Sequence, residues 1–161
     1  MIDKINNLKD LINCELEVQK IERPNFPYLF KSKFTDKKAN DLERTLLAYF
    51  KCIGGMAERV KNQGREVKKI TKHNCSVFGE VLQEERTFIP STGRNGTSDV
   101  KALYKGLTFA IEVKIGKDRM SEAQKKYKED IEKFGGYYIV AKDFESFVNE
   151  FKKIVILAQK N

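Results

Sequence analysis

Asp99, Glu112 and Lys114 are the side chains in this 161-residue sequence whose types and spacing together suggest chemistry. SDVKALY and LTFAIEVK are two strand-like runs separated by Lys105-Gly106, which predicts a two-residue hairpin turn with glycine at positive φ. Tyr104 and Leu107 then pair first, and counting outward brings Asp99 directly opposite Glu112. Opposite residues on a ladder have Cβ atoms about 4.5–5.5 Å apart, near enough for two carboxylates to grip one cation. Alternation along the strand places Lys114 beside Glu112 and sends Phe109, Ile111 and Val113 to the other face. Two carboxylates this close repel and raise one pKa unless a cation neutralises them, and one lysine supplies only part of that charge. Carboxylate, water and phosphate oxygens suit a hard cation, Mg²⁺ or Mn²⁺; zinc or copper would prefer softer donors.

The acid-x-lysine triplet by itself says little in so charged a chain. It recurs at Asp36-Lys37-Lys38, Glu66-Val67-Lys68 and Glu150-Phe151-Lys152. Asp36 falls in a polar connector, and Glu150 in an expected helix, where a spacing of two turns side chains apart. Glu66 is the serious rival. A hairpin between MAERV and REVKKI, turning at Asn62-Gln63-Gly64, would put Lys61 and Arg59 opposite Glu66 and Lys68, with no second carboxylate. A half-exposed antiparallel pair with ordinary surface charges is the plainer alternative for the 99–114 region.

Several elements must hold these residues. Ile2, Ile5, Leu8, Leu11 and Ile12 predict a short amphipathic helix over 2–13. Pro24 and Pro27 then enforce an extended connector. Leu42, Leu46, Leu47, Phe50 and Ile53 predict a helix from about Asn40 to Ile53, closed by Gly54-Gly55. Glu43 lies against its apolar face and needs either a partner or a route to solvent. Residues 72–83 are ambiguous, RTFIP at 86–90 reads as a strand, and the glycine loop after it carries Arg94, a phosphate candidate. After Lys114, a helix starts at Ser121 and runs through Ala123, Tyr127, Ile131 and Phe134 to Gly135-Gly136. Ser121 and Gln124 form a capping-box pair, which explains both without catalysis. GGYYIVA reads as a buried strand, so 107–141 should close as a right-handed crossover with its strands parallel. Lys117, Arg119, Lys125, Lys126 and Lys128 could contact phosphates or simply form a solvated face. Residues 143–158 predict a core helix.

Composition sets the frame. The length suits one domain, and 40% hydrophobic residues can fill a core. Thirty-one Lys and Arg against 23 Asp and Glu leave a charge of +8, which favours a polyanionic partner without naming one. Cys14, Cys52 and Cys75 are odd in number and lack a CxxC pair, so neither a disulfide framework nor a thiolate zinc site is expected. His73 and Cys75 lack the partners of a four-ligand zinc site. The N-terminus lacks a signal-peptide core, and no apolar run reaches the roughly 18 residues of a membrane span. A soluble, cytoplasmic protein without a membrane partner is expected.

GTSD (96–99), IEVK (111–114), GKDRMSEAQ (116–124) and GGYYIVA (135–141), in this order, resemble the VRR-Nuc family of virus-type replication-repair nucleases, within the PD-(D/E)xK superfamily. The likeness runs from the Glu43 helix to the C-terminal helix, so residues 36–161 are expected to form the nuclease domain and residues 1–35 a helix and connector outside it. The resemblance implies an α/β restriction-endonuclease-like fold, a mixed central sheet flanked by helices. It implies metal-dependent hydrolysis of phosphodiesters in DNA, with Mg²⁺ or Mn²⁺ on Asp99, Glu112 and the Val113 carbonyl, and Lys114 beside the attacked phosphate. Gln124 matches the family's downstream glutamine, and Glu43 is placed like the acidic residue of its first helix. Ser98 stands where many relatives have proline, a position that shapes the turn. Small members suggest a homodimer acting on branched or junction DNA; no nucleotide cofactor is implied. A non-cleaving nucleic-acid-binding module on the same fold and a site-specific restriction-type enzyme are the competing expectations; no separate recognition module is visible for the latter.

Overall fold

A computed structural model describes residues 2–60, 65–75, 79–89 and 93–160. Two compact units divide the chain: Met1–Val60 with Gly96–Asn161, and Lys61–Asn95.

The larger unit is an α/β assembly. A single 3₁₀ turn (Ile2–Lys4) precedes α1 (Leu8–Glu22), whose start is fixed by Asn7: its side chain accepts the N–H groups of Lys9 and Asp10. The helix expected over 2–13 therefore begins later and extends further. α2 (Ala39–Ile53) ends at Gly54, left-handed at φ 78°, where the Gly55 N–H reaches back to the Phe50 carbonyl. β1 (Met56–Arg59) follows. β4 (Val100–Tyr104) and β5 (Leu107–Val113) form the expected hairpin, then come α3 (Glu122–Lys133), β6 (Tyr137–Ala141) and α4 (Phe144–Ala158). The sheet order is β1-β4-β5-β6, antiparallel except for the parallel β5–β6 pair, so the central sheet is mixed and flanked by helices as predicted.

One correction concerns β1. MAER pairs with β4, from Met56↔Leu103 to Arg59↔Val100, and not with REVKKI. A local turn signal lost to the burial available at the edge of the main sheet, where Ala57 packs against the core. The proposed turn at Asn62-Gln63-Gly64 lies outside the described residues.

The sheet's two faces are covered differently. Val100, Ala102, Tyr104, Phe109, Ile111, Val113, Ile139 and Ala141 share one core with α2 and α4. There Tyr49, Phe50, Phe147 and Phe151 meet at ring-centroid distances of 5.2–6.1 Å, mostly edge to face, contacts that add about 0.5–1.5 kcal/mol each beyond burial. Ile5 and Leu11 are buried in the same core. On the other face Ala110 and Tyr138 pack with Tyr127 of α3.

The smaller unit is a two-stranded ribbon, β2 (Arg65–Cys75) with β3 (Gly79–Ile89), paired from Arg65↔Ile89 to Cys75↔Gly79. Residues 72–75 and 79–83 of the ambiguous stretch fall in its two strands, and 86–89 of the strand expected around 86–90 lie in β3; residues 76–78 and 90 lie outside the described residues. The side chains of His73 and Cys75, weighed above for zinc, are outside the described residues.

Candidate active site

Register is the first cause of the site. Lys105 and Gly106 turn with φ 49° and 79°, the paired positive values of a tight hairpin turn. The ladder then runs Tyr104↔Leu107 to Val100↔Ile111, and one further step sets Asp99 opposite Glu112. β4 stops at Val100, so the Val113 N–H has no backbone acceptor across the ladder; the Asp99 carboxylate takes it at 2.8 Å. Asp99 also accepts the Val60 N–H on its own carbonyl at 2.8 Å, tying it to the end of β1.

Glu112 is 1% exposed and surrounded by donors. Its Oε1 accepts from Lys114 Nζ at 3.1 Å and from Gln124 Nε2, and its Oε2 from the Tyr138 hydroxyl at 3.4 Å. Burial first, and the Asp99 charge second, push its pKa up to about 7 against the pull of Lys114 and Tyr138. Burial on its own would lower the pKa of Lys114, but Glu112 and Asp118, the latter at 3.2 Å, outweigh it and hold the pKa above the ordinary lysine value. Lys114 is therefore a firmly charged ammonium. Burial and then Glu112 push the Tyr138 phenol well up, which keeps it a donor.

Gln124 makes the expected helix cap and also contacts Glu112. Its Oε1 accepts the Ser121 N–H at 2.9 Å while the Ser121 hydroxyl caps the Gln124 N–H at 3.3 Å, completing the capping box. Its Nε2 is then free to donate to Glu112. A cap that fixes the helix start also fixes the amide on the carboxylate. Gly96 reinforces this: at φ 81°, a Cβ there would lie 2.4 Å from the Ala123 carbonyl carbon and oxygen and 2.8 Å from the Gln124 nitrogen. Only glycine lets the loop that carries Asp99 touch the first turn of α3.

Glu43 is buried, and its partner is Arg59 at the end of β1; Arg59 also donates to Asn40. Arg59 pairs with Val100, next to Asp99, which places Glu43 at the same end of the sheet; burial raises the Glu43 pKa, Arg59 opposes this, and the Asp99 charge raises it further. Lys117, Arg119 and Lys126 are exposed, Arg94 is exposed in its loop, Lys125 pairs with Glu122 at 2.7 Å, and Lys128 with Glu132 at 3.7 Å.

Tyr138, Arg59 and Asp118 were not singled out from the sequence. Tyr138 becomes legible once the parallel register is known: Glu112 pairs with Val140, so Tyr138 is its diagonal neighbour on the same face.

The donors fit a hard cation in kind. Asp99, Glu112 and the Val113 carbonyl offer oxygen alone, and Mg²⁺ characteristically takes one or two carboxylates and keeps waters. Among the described residues no group of three or more His, Cys, Asp or Glu is placed to hold a metal ion, so a cation here would rest on the two carboxylates and the carbonyl. Burial of Glu112 next to Asp99 disfavours its charged form, and the Lys114 ammonium at 3.1 Å offsets part of this.

No family model matches the chain, and no curated protein matches it significantly.

Proposed function

We propose that this protein is a metal-dependent nuclease that hydrolyses phosphodiester bonds in DNA, built on the VRR-Nuc variant of the PD-(D/E)xK plan. The observation that carries the reading is the hairpin register, which sets Asp99 against a buried Glu112 that already holds Lys114 at 3.1 Å. Asp99, Glu112 and the Val113 carbonyl would hold Mg²⁺ or Mn²⁺, which when bound polarises a phosphate oxygen and makes water a better nucleophile. Lys114, kept cationic by Glu112 and Asp118, faces the charge that grows on the phosphoryl oxygens in the transition state. Gln124 and Tyr138 each donate to a different oxygen of the Glu112 carboxylate and so hold it in one orientation. Glu43, paired with Arg59, assists from the rim. The charge of +8 supports a polyanionic substrate. Among the described residues no helix is long and apolar enough to cross a membrane.

Labelled single strands, duplexes, flaps, splayed arms and four-way junctions, incubated with Mg²⁺, Mn²⁺ or chelator, test the reading. Cleavage of at least one substrate should require the metal and fall on the order of 10³-fold in Glu112→Ala. Binding without cleavage under every metal condition would leave only the non-cleaving module.

A further inference from the structure

The connector between α1 and α2 is more than a link. From Arg23 to Thr35 it reads RPNFPYLFKSKFT, with three cations, four aromatics and no carboxylate. Its backbone joins neither sheet, yet it is tethered at several points. The Gln19 amide forks onto Phe30, donating to its carbonyl at 2.8 Å and accepting its N–H at 3.0 Å. Ser32 donates to Glu15 at 2.8 Å, Phe34 packs against the core, and the Thr35 carbonyl accepts the Thr45 hydroxyl at 3.1 Å.

Against that fixed backbone, the other aromatics turn outward. Tyr28 is 74% exposed, Phe30 63% and Phe26 47%, with the Phe26 and Phe30 rings 6.1 Å apart. Ring faces held in water on an anchored scaffold mark a contact surface. Lys20, Arg23, Lys31 and Lys33 flank them, all exposed and without an ion pair among the described residues.

We infer that this strap is a stacking platform for an unpaired stretch of nucleic acid. A single strand offers what the surface lacks: flat apolar faces for the rings and a phosphate for each lysine or arginine. A duplex keeps its base faces stacked on one another, and an apolar peptide would leave the cations idle. The inference rests on the proposed function for the class of substrate, and it adds the feature recognised, bases without partners.

The 161-residue chain has no tryptophan, so Tyr28→Trp installs a single reporter in it. In chelator, an oligo-dT strand should quench that reporter and a blunt duplex should not. Tyr28→Ala with Phe30→Ala should weaken oligo-dT binding about tenfold or more, leave duplex affinity within about twofold, and leave the melting temperature unchanged; Tyr28→Phe should bind as the wild type does. Unchanged oligo-dT affinity in the double variant overturns the inference. So does equal quenching by duplex, quenching by anionic phosphatidylserine vesicles in place of oligo-dT, or a dimer in sedimentation that the double variant dissolves. Strap-dependent oligo-dT binding by a protein that never cuts would reject the nuclease reading and leave the platform standing. Cleavage with unaltered oligo-dT binding in the double variant would do the reverse.

Discussion

The tripeptide Glu-Val-Lys occurs twice, at 66–68 within β2 and at 112–114, where β5 ends at Val113 and Lys114 follows it. In β2 the glutamate faces Phe88 and the lysine faces Arg86. Both side chains are about half exposed, and their contacts are surface pairs: Lys68 with Glu84 at 3.1 Å, and Glu66 with Arg86 at 4.0 Å. Such pairs contribute about 0–1 kcal/mol. In β5 the glutamate falls opposite Asp99, is 1% exposed, and sits under Tyr138 and Gln124. Identical covalent chemistry becomes a surface decoration in one place and a charged cluster in the other. The differences are the cross-strand partner and the cover supplied by α3.

Paired substitutions test that contrast. Lys114→Ala should lower metal-dependent cleavage by about 10²–10³-fold while metal uptake persists, whereas Lys68→Ala should stay within about twofold; equal losses in single-turnover assays would erase the distinction. The next effect is on stability. Glu112, raised to about 7 from the ordinary 4.5, binds its proton more tightly in the folded than in the unfolded chain. That contribution is full below about pH 4.5 and is lost as the pH rises through 7, amounting to roughly 3 kcal/mol. In chelator, denaturant melts of Glu112→Gln should lack this decline, so the variant gains on the wild type above pH 7; parallel pH profiles would show that Glu112 carries no such strain. Smaller again, Gly96→Ala should cost roughly 2–3 kcal/mol, from the left-handed backbone and the 2.4 Å approach to Ala123. Its cleavage should fall further than its stability alone explains, because Gln124 moves with the helix start. A variant that melts and cuts like the wild type would sever the link between this loop and α3.

Much of the fold was legible where local chemistry and burial agreed. Lys105-Gly106 dictated turn, register and the Asp99–Glu112 juxtaposition together. Ser121 with Gln124, and the glycines at 54 and 135, marked helix ends that the structure keeps. The pairing of β1 was illegible because four residues carry too little pattern to outweigh a neighbouring turn signal. Asn7 could have corrected the start of α1, since a capping side chain just before an apolar helix face is a sequence feature. The Arg59–Glu43 pair and the Tyr138 hydroxyl bond join residues distant in the chain, and only the sheet order brings them together.

Titration calorimetry with Mn²⁺ on the wild type, Asp99→Asn and Glu66→Gln addresses the register claim at its root. Uptake should be present in the wild type, unchanged in Glu66→Gln and gone in Asp99→Asn. Equal uptake by all three proteins, or loss in Glu66→Gln alone, would contradict the assignment of the chemistry to the β4–β5 hairpin.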